Sequence, residues 1–102
     1  TLMITNTFNL IKNLKDNKLF LKTSTDLDRA FNSDLFQLKL GSHRNQELQN
    51  DWNTIGSDNF EFSILDELKL KETETDSEKQ KDLKELLELH QADLVKKGIR
   101  FY

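Results

Sequence analysis

Residues 41–65, GSHRNQELQNDWNTIGSDNFEFSIL, limit the possible folds more than any other stretch of this chain. Leu48, Trp52 and Ile55 stand at i, i+4 and i+7, an apolar stripe with helical period. Ser42 can cap the helix start by accepting from a free backbone N–H of the first turn. Gly56 stands where the helix should stop, since glycine adopts a left-handed backbone without a Cβ clash. Phe60, Phe62 and Ile64 then alternate with Glu61 and Ser63, the period of a half-buried strand. The only Trp and two of the seven Phe fall here, so this unit is expected to supply much of the core.

The flanking segments must build around it. Residues 4–11, ITNTFNLI, are β-branched and aromatic and predict a first strand. Residues 13–17 predict a polar turn, and 18–23, KLFLKT, a strand pairing back on the first. Without glycine, that turn should be longer than the tight two-residue types. Residues 25–40 predict a helix that opens on Thr25 and Asp28 as a capping box and ends at Gly41. Its stripe is Leu27, Phe31, Leu35 and Leu38. Phe36 and Leu40 lie off that stripe and either widen the buried face or mark a contact surface. Residues 65–76 lose periodicity, gain charge and predict a solvated loop. Residues 77–97 predict a long helix opened by Ser77 and Gln80, with Leu83, Leu86, Leu87, His90 and Leu94 on one face. Gly98 ends it, and the tail IRFY is expected to pack back as a short extended piece. The predicted order is β-β-α-α-β-α, an α+β layout of one domain spanning residues 1–102.

Composition excludes several classes. No Cys is present, which removes disulfides, zinc–thiolate sites and thiol nucleophiles and suits a cytoplasmic setting. No apolar run reaches the roughly 20 residues of a membrane helix, so no membrane partner is expected. There is no glycine-rich phosphate loop, no Ser/His/Asp signature and no HExxH motif. A net charge of −3 gives no global attraction to nucleic acid. The acidic surplus lies mainly after Gly56, however, and Lys15, Lys18, Lys22, Arg29, Lys39 and Arg44 precede it, enough for a local basic groove.

His43, Asn45, Leu48-Gln49, Trp52-Asn53, Gly56 and Asn59-Phe60-Glu61-Phe62 together resemble the second half of a GIY-YIG endonuclease domain. The pattern there is H-x-N-x-x-L-Q-x-x-W-N-x-x-G-x-x-x-F-x-F, whose polar positions a generic amphipathic helix does not require. The resemblance implies a small three-stranded antiparallel sheet flanked by helices. It also implies metal-assisted phosphodiester hydrolysis by two Tyr, an Arg, a His and a Glu that holds Mg²⁺ or Mn²⁺.

Carried onto this chain, the GIY element falls at Thr7-Phe8-Asn9, with Asn9 in the Tyr position. The YIG element falls at Phe20-Leu21-Lys22, with Phe20 for Tyr and Lys22 for Gly. Phe can pack but cannot move a proton, and the only Tyr is Tyr102. The Arg position falls on Ala30, with Arg29 one step and about 100° away around the helix. His43 matches, either as an acid or base near neutrality or as a hydrogen-bonding residue at the helix start. The metal position falls nearest Leu87, with Glu88 one step off and Glu85 the other candidate. His90 is either a core histidine or a ligand.

The resemblance therefore implies a degenerate, catalytically inactive nuclease-like domain that needs no cofactor and keeps a DNA-binding groove. Lys22, Arg29, Lys39 and Arg44 are its candidate nucleic-acid contacts. One alternative is an active divergent endonuclease, with His43, Arg29 and Glu88 arranged around Mg²⁺ or Mn²⁺. Another is a protein-interaction or regulatory module that uses Phe36 and Leu40.

Overall fold

β1 (Met3–Asn13) and β2 (Lys18–Ser24) form an antiparallel pair, in register from Asn13 opposite Lys18 to Thr7 opposite Ser24. They belong to a computed structural model that describes residues 3–71 and 73–102; the side chains of Met3 and Leu27, the latter counted in the first helix stripe, also lie outside the described residues. The connecting turn manages without glycine. The Asn13 side-chain oxygen accepts from the backbone N–H groups of Lys15 and Asp16, both at 3.0 Å. Asn17 takes the left-handed conformation at φ 54°, which Asn tolerates better than most residues.

α1 (Leu27–Leu40) is capped by Asp26, whose carboxylate accepts from the Arg29 N–H at 3.1 Å, so the expected Thr25 cap moves by one residue. At its end Gly41 is left-handed and the Ser42 N–H donates to Gln37 O at 2.9 Å, which closes the last turn. Ser42 therefore belongs to the end of α1. The cap of α2 (Gln46–Ile55) is instead Asn45, whose side chain accepts from Leu48 N at 3.0 Å. Gly56 ends α2 at φ 89°, and a short 3₁₀ turn (Ser57–Asn59) leads into β3.

β3 runs Phe60–Lys71, so half of the expected loop over 65–76 is strand. The alternation fails at one point, not throughout. β1 pairs Asn9 with Ile64 but Phe8 with Asp66, and the extra Leu65 forms a bulge. Beyond it Leu68 and Leu70 resume the alternation. α3 (Asp76–Lys96) starts from Thr75, which accepts from Glu78 N at 3.2 Å in place of the expected Ser77. β4 (Arg100–Phe101) pairs parallel with β2, and Tyr102 N donates to Leu19 O at 2.9 Å. The sheet is accordingly four-stranded and mixed, in the order β3-β1-β2-β4, rather than three-stranded and antiparallel. The α+β class is as expected.

Helices cover both faces of the sheet. On one face Ile11 packs with Leu38 of α1 and with Leu48 and Trp52 of α2, joined by Phe20, Phe60, Phe62 and Tyr102. On the other, Leu10 and Leu19 pack with Leu94 of α3, joined by Leu65 and Phe101. Trp52 lies 5.3 Å from the Phe60 ring and 6.4 Å from the Phe62 ring, so the helix–glycine–strand unit does form a core. Among the described residues no helix is long and apolar enough to cross a membrane.

Candidate functional site

The α1/α2 face changes character along the strands. Beyond Ile11, β1 places Asn9 and Thr7, both buried, and β2 places Lys22 directly opposite Asn9. α1 adds Asp34, only 2% exposed although it is a carboxylate. Its Oδ2 lies 2.6 Å from Lys22 Nζ and its Oδ1 lies 3.0 Å from His43 Nε2. His43 is buried in turn, with its ring edge-on to Phe20 at 5.3 Å.

The proton on His43 follows from its neighbours. The Asn45 backbone N–H, a fixed donor, points at Nδ1 from 3.1 Å, so Nδ1 is an acceptor and bears no hydrogen. Nε2 then carries the hydrogen and donates it to Asp34. The His43 backbone N–H donates to Gln49 Oε1 at 3.0 Å. Gln49 Nε2 donates to Leu38 O and to Asn53 Oδ1, both at 3.0 Å. One closed network thus ties β2, α1, the following loop and α2 together. Asn9, opposite Lys22 in register, lies outside that network. Its Oδ1 accepts from the Thr7 hydroxyl at 2.8 Å and its Nδ2 has no partner. Turning the amide would only transfer the vacancy to the oxygen.

The structure brings some of the expected residues together and separates others. Phe20, Lys22 and His43 converge with Asn9, and Arg44 holds its guanidinium 6.0 Å from the Phe20 ring. Arg29 is exposed, while Ala30 faces inward. Lys15 and Lys39 are exposed, and Lys18 pairs with Glu47. Glu85 and Glu88 are exposed on α3, across the sheet from His43. His90 is part-buried: Nε2 bonds Asp66 Oδ2 at 2.9 Å and the ring meets Phe8 edge-on at 5.5 Å. The Glu67 N–H, then His90, holds the Asp66 carboxyl below its ordinary value.

A divalent metal does not fit these residues. Both His43 nitrogens and both Asp34 oxygens are engaged, and Glu88 belongs to the other face. Among the described residues no three His, Asp or Glu side chains group as ligands.

Two participants escape motif reasoning. Asp34 carries the network, and its signal was a lone carboxylate among Ala30, Phe31, Leu35 and Leu38 on the buried side of α1. Tyr102, remote in sequence, is delivered to α2 by β4. Its hydroxyl donates to Asp51 at 2.7 Å and accepts from Asn13 at 2.8 Å. Burial, then Asp51, pushes that hydroxyl well above its ordinary pKa. Asn13 is four residues from Asn9, about 13 Å along the strand. Tyr102 therefore does not replace a hydroxyl at the Asn9–Lys22 position.

Comparison with protein-family models, with curated proteins and with solved structures found no match.

Proposed function

We propose that this chain is a GIY-YIG-like domain without nuclease chemistry that serves as a nucleic-acid-binding module. The observation that carries this reading is the closed Lys22–Asp34–His43 network. Groups that would have to meet a phosphate, a water or a metal are instead bonded to one another. Phe20 and Asn9 offer no phenol at the family's Tyr positions. Losing one catalytic group commonly removes orders of magnitude in rate, and several are replaced here. The divergent-nuclease alternative needs Glu88 beside His43 and loses its support from their placement on opposite faces.

Binding is supported by the cations left over. Lys15, Arg29, Lys39 and Arg44 are exposed and make no ion pair among the described residues, so they remain free for phosphates. The interaction-module reading rests on Phe36 and Leu40, one turn apart on α1 and each 64% exposed.

The test uses a supercoiled plasmid and a branched DNA, with Mg²⁺ or Mn²⁺. The proposal expects no cutting and binding that weakens steeply with salt. Metal-dependent cutting abolished by Glu88→Ala would overturn it. Neither cutting nor binding would favour the protein-interaction module.

A further inference from the structure

Leu68 and Leu70 of β3 and Leu86 and Leu89 of α3 line a cavity of about 400 Å³, far more room than a single water needs. Leu89 is 65% exposed. The lining also holds three carboxylates, those of Glu74, Asp82 and Glu85, against one cation, Lys69. Glu78, Asp82, Glu85 and Leu89 stand at i, i+4, i+7 and i+11, one exposed stripe along α3. Lys79, Lys81 and Lys84 fall off that stripe. Its three acids make no ion pair among the described residues. The groove is therefore apolar inside and acidic along its α3 wall.

The outer side of α1 carries the converse. Arg29, Phe36 and Leu40 stand at i, i+7 and i+11, with Lys39 one turn from Phe36. Arg29 and Lys39 are exposed, and Phe36 and Leu40 are each 64% exposed. No acid shares this stripe: Asp34 is buried, and Asp28 lies about 100° around the helix from Arg29. Each stripe runs about 16 Å, and each passes from a charged N-terminal end to an apolar C-terminal end. α1 and α3 cover opposite faces of the sheet, so no chain can seat its own stripe in its own groove.

We propose that the α1 stripe of one copy of this chain docks in the α3–β3 groove of another. Phe36 and Leu40 enter among the leucines while Arg29 and Lys39 face the acids of α3. An apolar pair flanked by cations matches an apolar groove flanked by carboxylates, whereas the acidic wall repels nucleic acid. The two surfaces differ, so the contact is head-to-tail and each pair of copies keeps one stripe and one groove free for further copies. Its short length puts it among weak, reversible contacts. Arg29 and Lys39 cannot serve a phosphate and a neighbouring copy together, so the contact and nucleic acid exclude each other at α1.

The test is sedimentation of the protein at low salt as its concentration rises to about 1 mM. The average mass should climb above the 12.0 kDa of one chain and fall back on adding salt. Phe36→Asp removes the stripe and Leu89→Asp removes the groove, both at exposed positions, and unchanged thermal melts verify that each variant folds. Each variant alone should stay monomeric. Mixed in equal amounts they should form a complex of twice the single-chain mass and no larger, because only one intact stripe and one intact groove remain per pair. A parent that stays monomeric throughout overturns the proposal and leaves the groove to a basic, apolar segment of another protein. Self-association that survives in either variant, or variants that fail to pair when mixed, overturns the stripe-in-groove contact. None of these outcomes bears on the nucleic-acid reading, which DNA binding tests separately.

Discussion

Ile11 and Leu10 are neighbours on β1 and face opposite halves of the molecule. Around Ile11 the packing is aromatic and gives way, within one strand repeat, to a polar row of buried Asn9, Asp34 and His43 with half-buried Lys22. Around Leu10 it is largely aliphatic, and the polar groups at its margin, His90 and Asp66, reach solvent. The first half needs each donor and acceptor in place, because an unpaired buried polar group costs more than its bond gained. The second needs only apolar bulk of about the right volume. Chemistry-bearing residues collect on the first half, where they serve geometry.

The largest effects should separate the two packing styles. Trp52→Ala should lower stability by about 3–5 kcal/mol, and Leu94→Ala on the other face by about 2–5 kcal/mol and no more than Trp52→Ala, in urea unfolding. A larger loss at Leu94 would shift the main core to the α3 side. Asp34→Ala should cost about 3 kcal/mol, because it strips the partner from Lys22 and from the His43 N–H together. A loss below about 1 kcal/mol, the range of surface ion pairs, would show the network to be loosely held.

Smaller effects concern the margins. Tyr102→Phe should cost about 1 kcal/mol by removing the bonds to Asp51 and Asn13. The hydroxyl is held above its ordinary value of 10.0, so its stabilisation is complete below that pH and is lost as pH rises beyond it. Thermal melts in alkali should therefore be flatter for Tyr102→Phe than for the parent. The Asp66 carboxyl is held below 3.8, so its contribution is present above that value and fades as pH falls through the lowered one. Asp66→Asn should flatten only the acid limb of the melting profile. This effect should be the smallest, since the side chain is 43% exposed.

Periodicity made the α3 face readable in part: Leu94 is buried in the core, and Leu83, Leu86, Leu87 and His90 are half-buried. It failed at Leu65, because one extra residue resets a two-residue repeat and makes a strand look irregular. Cap positions drifted by one to three residues wherever several Ser, Thr, Asn or Asp competed, as at Thr25 and Asp26 or Ser42 and Asn45. The polar face was legible only in part. The positions of Phe20, Lys22 and His43 near one another followed from the motif, but Asp34 has no motif and is defined by what surrounds it in space. Tyr102 joined the α2 side through a parallel pairing of two residues, too short to leave a pattern.

The central claim is that His43 is locked within a network closed to water and metal. The most direct measurement is the ¹⁵N resonance pair of its ring, recorded with and without Mg²⁺. The account predicts an unprotonated Nδ1 and a protonated Nε2, unchanged by the ion. A protonated Nδ1, or a ring that shifts on adding Mg²⁺, would contradict it and return His43 to catalysis.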